Sequence, residues 1–274
     1  MVLYIIGLGL GDEKDITVKG LEYVHQCSSL YLEYYTSVLC ADTSKLEAFY
    51  GKPITLADRE MVESETAMDN ILSEAKVSDV GFLVVGDPLC ATTHTDLILR
   101  AIERQVKYKV VHNASAMSAS ASCGLQQYQM GYTISIPWFE GEWKPDSFYD
   151  RIKYNRDGGM HTLCLLDIKV KEPDYDSLAK GKGVKYLPPR FMTVNTAVEQ
   201  LLEIESIRKE GVLASSTLAV GMARLGQESQ QIVFGTLAEL LVQDFGLPLH
   251  CLALCGELHP LEMQYLDIFK VNTN

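Results

Sequence analysis

Three apolar runs in the first half of the chain each end in a turn of glycine or other small residues. This repetition constrains the fold more than any other feature. Val2–Ile6 leads into Gly7-Leu8-Gly9-Leu10-Gly11-Asp12, Val80–Val85 into Gly86-Asp87-Pro88, and Lys107–His112 into Asn113-Ala114-Ser115. Helical patterns lie between them. Thr17–Gln26 has Thr17 as N-cap, and Asp58–Lys76 shows helical spacing through Met61, Met68, Ile71, Leu72 and Ala75. A further helix carries Leu97, Ile98 and Ala101 and opens on a capping box of Thr93 with Asp96. Leu30–Tyr34 reads as a strand, and Ser115 caps a small-residue helix reaching Gly124. Strand and helix alternating at this spacing predict a parallel sheet with helices packed on it.

The texture changes near Gly131. Thr133–Ile136, His161–Ile168, Ser216–Met222, Gln231–Phe234 and Leu249–Cys255 read as strands, with helices near Pro145–Arg156, Thr193–Lys209, Thr236–Asp244 and Pro260–Phe269. Lys169–Arg190, rich in Lys, Gly, Pro and Asp, reads as a surface loop. A chain of 274 residues suits two domains at roughly 150 residues each. The expected fold is therefore α/β, with a mostly parallel sheet in residues 1–130 and a mixed sheet in residues 131–274.

Charge narrows the partners. With 24 Lys and Arg against 36 Asp and Glu, the net charge is −12. Nucleic-acid binding needs clustered cations, and no basic block is present. Small molecules or a protein surface are the expected partners. The seven cysteines, at 27, 40, 90, 123, 164, 251 and 255, sit mostly inside apolar runs. That is how reduced, buried thiols of a cytoplasmic protein are placed. No run of 18 apolar residues marks a membrane span, and Met1 enters VLYIIGLGLG with no basic segment, so this start reads as a strand.

Several kinds of chemistry can be weighed at the turns. Gly7–Asp12 follows a strand and precedes a helix, and Glu33 ends the next strand, where a ribose-binding acid would stand in a dinucleotide fold. The pattern G-x-G-x-x-G fails, because the last position falls on Asp12 or Lys14, and the helix starts too late to receive a pyrophosphate. A nicotinamide oxidoreductase is thus disfavoured; close approach of backbone to a different small ligand is the better reading. Asp87 can accept hydrogen bonds from a ligand or cap its own turn, and both readings stay open. His94 falls in the first turn of a helix. Free N–H groups at Ser115 suit a carboxylate or ring nitrogen, or the small residues simply pack tightly on the sheet. His250, Cys251, Cys255 and His259 superficially suggest zinc, but the thiols alternate onto one face of an apolar strand, as core residues do, which turns His250 the opposite way. No G-x-S-x-G elbow, Walker loop or H-E-x-x-H motif is present, and Cys90 has no base placed near it.

Taken in order, the turns Leu3–Asp12, Val84–Pro88 and His112–Ser115 resemble the tetrapyrrole-methylase superfamily. Longer stretches are similar to its diphthine synthase branch: Asp15–Glu22 (DITVKGLE), Tyr31–Ser37 (YLEYYTS), Ala91–His94, Gly159–Lys169 (GMHTLCLLDIK), Pro188–Arg190, Gly221–Gly226 (GMARLG) and Pro248–His250. The match runs nearly end to end. The resemblance implies a homodimeric, two-domain methyltransferase with a cofactor cleft between its domains. It implies S-adenosylmethionine as methyl donor, leaving S-adenosylhomocysteine. The implied substrate is the 3-amino-3-carboxypropyl-histidine of elongation factor 2, an intermediate of diphthamide. The eukaryotic-looking Gly159–Lys169 stretch favours four methyl transfers, ending in diphthine methyl ester, with trimethylation alone as the alternative. A non-enzymatic elongation-factor partner is the remaining alternative from another class. By the same resemblance Leu10, Asp87, Cys90, Ser115, Ala116, Leu166, Leu225 and His250 contact the cofactor. Cys90 stands where a small residue such as glycine is usual and Ala116 where isoleucine or valine is common, which alters pocket volume and not reaction class. The resemblance assigns no catalytic base.

Overall fold

The computed structural model describes residues 1–33, 42–57, 65–172, 174 and 185–271. The chain divides into two compact units, residues 1–118 with 226–228, and residues 119–225 with 229–274.

The first unit is built on five strands, β1 (Val2–Gly7), β2 (Ser29–Glu33), β3 (Thr55–Ala57), β4 (Val80–Val84) and β5 (Lys107–Val111), in the order β3-β2-β4-β1-β5. Every neighbouring pair is parallel. Alternate residues of β1 explain the layering. Tyr4 and Ile6 join the core formed with Val24 of α1 (Val18–Gln26) and with Leu46 and Tyr50 of α2 (Thr43–Tyr50). Leu3 and Ile5 join a core on the opposite face with α3 (Glu65–Val77) and α4 (His94–Glu103), through Ile71, Leu72, Leu97 and Ala101. A sheet covered on both faces needs apolar residues at successive positions, as the run of β1 shows. Thr17 caps α1 by accepting from Gly20 N–H at 3.0 Å.

The capping box expected at Thr93 is not formed. Thr93 precedes α4 but its side chain makes no capping bond: its backbone, at φ −100° and ψ 9°, is not extended as an N-cap is, and its carbonyl accepts from Asp96 N–H at 2.9 Å, while the Asp96 carboxylate goes to Arg100 at 2.7 Å. The small-residue helix is α5 (Ala116–Ala119), continued by a 3₁₀ turn Ser120–Cys123 and closed by Gly124 in the left-handed region at φ 91°. Of the expected helix Asp58–Lys76, residues 58–64 lie outside the described residues, as does Tyr34 of the expected strand.

The second unit holds a mixed sheet, ordered β11-β10-β12-β7-β6, of β6 (Ile134–Ile136), β7 (Thr162–Leu166), β10 (Leu218–Ala223), β11 (Gln231–Thr236) and β12 (His250–Leu254). Only β6 and β7 run parallel; the other neighbours are antiparallel. Helices α6 (Tyr149–Asp157), α7 (Val194–Arg208) and α8 (Leu237–Leu241) bury Ile152, Leu201 and Leu240 in its core. The chain ends in α9 (Pro260–Leu266) and a 3₁₀ turn to Phe269. The expected loop Lys169–Arg190 is framed by a two-stranded ribbon, β8 (Ile168–Lys169) against β9 (Arg190–Phe191). Residues 173 and 175–184 of it lie outside the described residues. No described helix is long and apolar enough to cross a membrane.

Candidate functional site

Strand order locates the candidate site. From β1 the chain crosses to β2, beyond β4; from β4 it crosses to β5, beyond β1. Connections leaving two adjacent strands in opposite directions open a crevice at their carboxyl ends, where ligands of open α/β sheets bind. Here those ends are the Gly7–Gly11 loop and the Gly86-Asp87-Pro88 turn. The two are tied by an isolated bridge, with Gly86 N–H donating to Gly9 O at 2.8 Å and Gly9 N–H to Gly86 O at 3.3 Å.

Gly7 is what lets the neighbouring turns close over the end of β1. A Cβ there would lie 2.6 Å from Gly86 O, 2.9 Å from Asn113 Cβ and 3.0 Å from Pro88 Cδ. Asp87, in the turn so closed, reaches from the end of β4 to the end of β5. Its Oδ1 accepts from Leu89 N–H at 2.9 Å; its Oδ2 accepts from Asn113 N–H at 3.1 Å and from His112 Nδ1 at 2.8 Å. Asp87 as a whole residue is 5% exposed. Burial pushes its pKa up, but the Leu89 and Asn113 amides and the His112 imidazole outweigh that and hold it below the usual carboxylate range.

The structure shows the turn-capping reading of Asp87, and places its carboxylate at the carboxyl end of β4 where the crevice opens. A carboxylate whose folded pKa is depressed adds stability that is present above its unfolded value, about 3.9, and is lost as pH falls through the folded value. Thermal melts should show wild type above Asp87→Asn at pH 7, with the gap closing below about pH 4. A gap that is constant with pH would contradict the charge-based account.

The remaining turn is similarly closed on itself. Pro88 O accepts from Thr92 Oγ1 at 2.6 Å and from His94 Nδ1 at 2.9 Å. His94 is the buried first residue of α4, with Nε2 3.9 Å from the buried Glu33 carboxylate. Glu33 thus faces protein, not a ribose. Cys90, half-buried, follows with its N–H 3.3 Å from Asp87 O. In the glycine loop the N–H groups of Gly11 and Leu10 both go to Asp15 Oδ2, at 2.7 and 3.3 Å. A pyrophosphate would find these donors taken. Ser115 is corrected in part: its N–H already bonds Ser118 Oγ at 3.0 Å, and the helix behind it has only four residues. It is a local cap. Its backbone nonetheless stands at the crevice, since a Cβ on Gly86 would lie 3.8 Å from Ser115 Cα and 3.9 Å from Leu10 Cδ2. Leu10, Asp87, Cys90, Ser115 and Ala116 are thus brought to one edge of the first unit.

The second unit gathers the other three predicted residues. Ala223 pairs with His250, and Leu165 with Cys251, so Leu166, Leu225 and His250 collect at one end of the mixed sheet. His250 donates from Nε2 to Leu247 O at 3.0 Å. Its Nδ1 is buried and has no hydrogen-bond partner among the described residues. Burial holds this imidazole below its ordinary pKa, so Nδ1 stands as an open acceptor. Arg224, which the sequence did not single out, frames it: its Nη1 donates to Phe245 O at 2.6 Å and to Leu247 O at 2.5 Å. All five residues of β12 are buried, Cys251 and His250 included, because the strand is central in its sheet. His259 is the N-cap of α9, accepting from Leu261 N–H through Nδ1, while Glu262 accepts from His259 N–H. The six described cysteines are all unpaired, and Cys40 lies outside the described residues.

Comparison with known proteins decides the family. Residues 2–241 match the model of the tetrapyrrole (corrin/porphyrin) methylases. The chain belongs to the tetrapyrrole methylase family. It is 56% identical to diphthine methyl ester synthase of Dictyostelium discoideum, with all of both chains covered. It is 54% identical to the Homo sapiens protein of the same name, covering 100% of this chain and 96% of that one. A solved chain from Entamoeba histolytica superposes with TM-score 0.87 at 45% identity, covering 99% of each. A crystal structure of diphthine synthase gives TM-score 0.83 at 33% identity, over 98% and 96% of the two chains. The chain is accordingly a methyltransferase.

Proposed function

We propose that this methylase transfers methyl groups from S-adenosylmethionine to the 3-amino-3-carboxypropyl-histidine of elongation factor 2, in diphthamide biosynthesis. The observation that carries the reading is identity of 54–57% along the whole chain with proteins named diphthine methyl ester synthase. That name favours four transfers, the last onto the carboxylate, over trimethylation alone. The unpaired cysteines support a reducing, cytoplasmic setting, and the family resemblance supports a homodimer.

The residues present fit the cofactor. S-adenosylmethionine has no phosphate, so the satisfied N–H groups of the glycine loop are no obstacle to it. The open Nδ1 of His250 matches a ligand N–H donor. The proposed contacts are Leu10, Asp87, Cys90, Ser115 and Ala116 of the first unit, and Leu166, Leu225 and His250 of the second. When bound, the cofactor supplies a methyl carbon already activated by a sulfonium. The protein's task is alignment of donor and acceptor, worth about 7–11 kcal/mol as effective molarity. Isothermal calorimetry should show binding of S-adenosylhomocysteine and none of NAD. Binding of NAD alone would mean the wrong cofactor class, and binding of neither would remove the support for an enzyme.

A further inference from the structure

The turn that Asp87 organises does not need the imidazole of His112. Two backbone N–H groups, from Leu89 and Asn113, already hold the carboxylate in place. His112 is nevertheless hydrogen-bonded to it through Nδ1 at 2.8 Å, with a side chain 68% exposed beside a carboxylate 6% exposed. A buried acid that accepts from Nδ1–H fixes the tautomer, leaving the Nε2 lone pair directed away from it. His112 directly follows β5, three residues before Ser115, at the edge where the predicted cofactor residues of the first unit gather.

We propose that His112, oriented by Asp87, is the general base that takes the proton from the acceptor amine before each N-methyl transfer. The proposal rests on the substrate assignment above. An ammonium has no lone pair to offer. Nε2 of His112 removes one proton from it, and the freed pair forms the new nitrogen–carbon bond. The carbon–sulfur bond breaks at the same time, its electrons remaining on sulfur as a thioether. The imidazolium then returns the proton to solvent. Three cycles carry a primary ammonium to a trimethylammonium and release three protons. The carboxylate that takes the fourth methyl is already an anion, so that transfer needs no base. The two kinds of transfer should therefore depend on His112 differently.

His112→Asn places an amide N–H near the former Nδ1, so Asp87 keeps a donor while the proton acceptor is lost. The variant should be assayed by mass spectrometry on elongation factor 2 bearing the unmethylated group and, separately, on the trimethylated form. The ratio of N-transfer to ester-forming rate should fall about 100-fold, the size of a lost general base. Added imidazole should restore N-transfer to His112→Ala. Nitrogen NMR of the unliganded protein should show a protonated Nδ1 and a bare Nε2, and calorimetry should show unchanged affinity of His112→Asn for S-adenosylhomocysteine. An unchanged ratio, a parallel fall in both rates, or the opposite tautomer overturns the proposal. A wild-type protein that methylates neither form contradicts the substrate assignment and the base with it. A wild type active on both, beside a variant with an unaltered ratio, contradicts the base alone.

Discussion

The Gly7→Ala protein is expected to melt about 6–12 °C below wild type, the shift that an overpacking cost near 3 kcal/mol produces in a chain of this size. The cause is local and steric. The added methyl meets Gly86 O at 2.6 Å, a backbone atom that cannot swing aside as a side-chain tip can. Relief requires the Gly86–Pro88 turn or the Asn113 turn to move off the end of β1. Either movement stretches the bonds from Asn113 and His112 to Asp87. Loss of S-adenosylhomocysteine binding should therefore accompany loss of stability in this variant. Gly81→Ala is the control within the same sheet: its Cβ meets Leu30 Cδ2 at 2.7 Å, a flexible end. It should melt closer to wild type and bind ligand normally. Equal affinity in Gly7→Ala and wild type would show that the turns over β1 do not form the site.

Glu262→Ala should cost about 3–5 kcal/mol by denaturant unfolding, since each donor left without its acceptor costs roughly 1–3 kcal/mol. Glu262 is 1% exposed. Its Oε1 accepts from Gln126 N–H at 2.7 Å and from His161 Nε2 at 3.1 Å, and its Oε2 from His259 N–H at 2.8 Å. His161, fully buried, completes the network by accepting from Gly256 N–H at 2.9 Å. Removing the carboxylate strands three donors at once, the buried His161 Nε2–H and two part-buried backbone N–H groups. Glu262→Gln, which keeps one acceptor oxygen, should lose less. Equal losses in the two variants would mean that side-chain volume, and not hydrogen bonding, sets the cost.

These two cases mark how far the sequence could be read. The glycines after β1 and β4 were legible because a strand that ends in Gly–x–Gly or Gly–Asp–Pro has few other uses. The mixed character of the second sheet was legible from strands not separated by long helices. Thr17 and Thr193 were legible as helix starts, since capping is decided within four residues. Thr93 offered the same local pattern and failed, because its carbonyl takes the Asp96 N–H that its side chain would have capped, and the Asp96 carboxylate goes to Arg100. Helix α2 went unassigned: only Leu46 and Tyr50 are buried, too sparse a stripe to announce itself. Strand β3, three residues at the sheet edge, and the ribbon of β8 with β9 are shorter still. What the sequence could not show is pairing across distance. Asp87 and His112 are 25 positions apart, and His161 and Glu262 are 101 apart. Each pair exists only because strand order places their elements together. A histidine immediately before a capping serine was on view at position 112, but its role depends on a carboxylate that only the fold supplies.

The central claim is that this methylase carries the acceptor group of elongation factor 2 through four methyl transfers. Mass spectrometry of the factor bearing the unmethylated 3-amino-3-carboxypropyl-histidine, after incubation with the protein and S-adenosylmethionine, tests it most directly. The account predicts a mass gain of four methyl groups, one of them released by mild base as an ester is. A gain that stops at three would contradict the ester-forming step, and no gain at all would contradict the substrate.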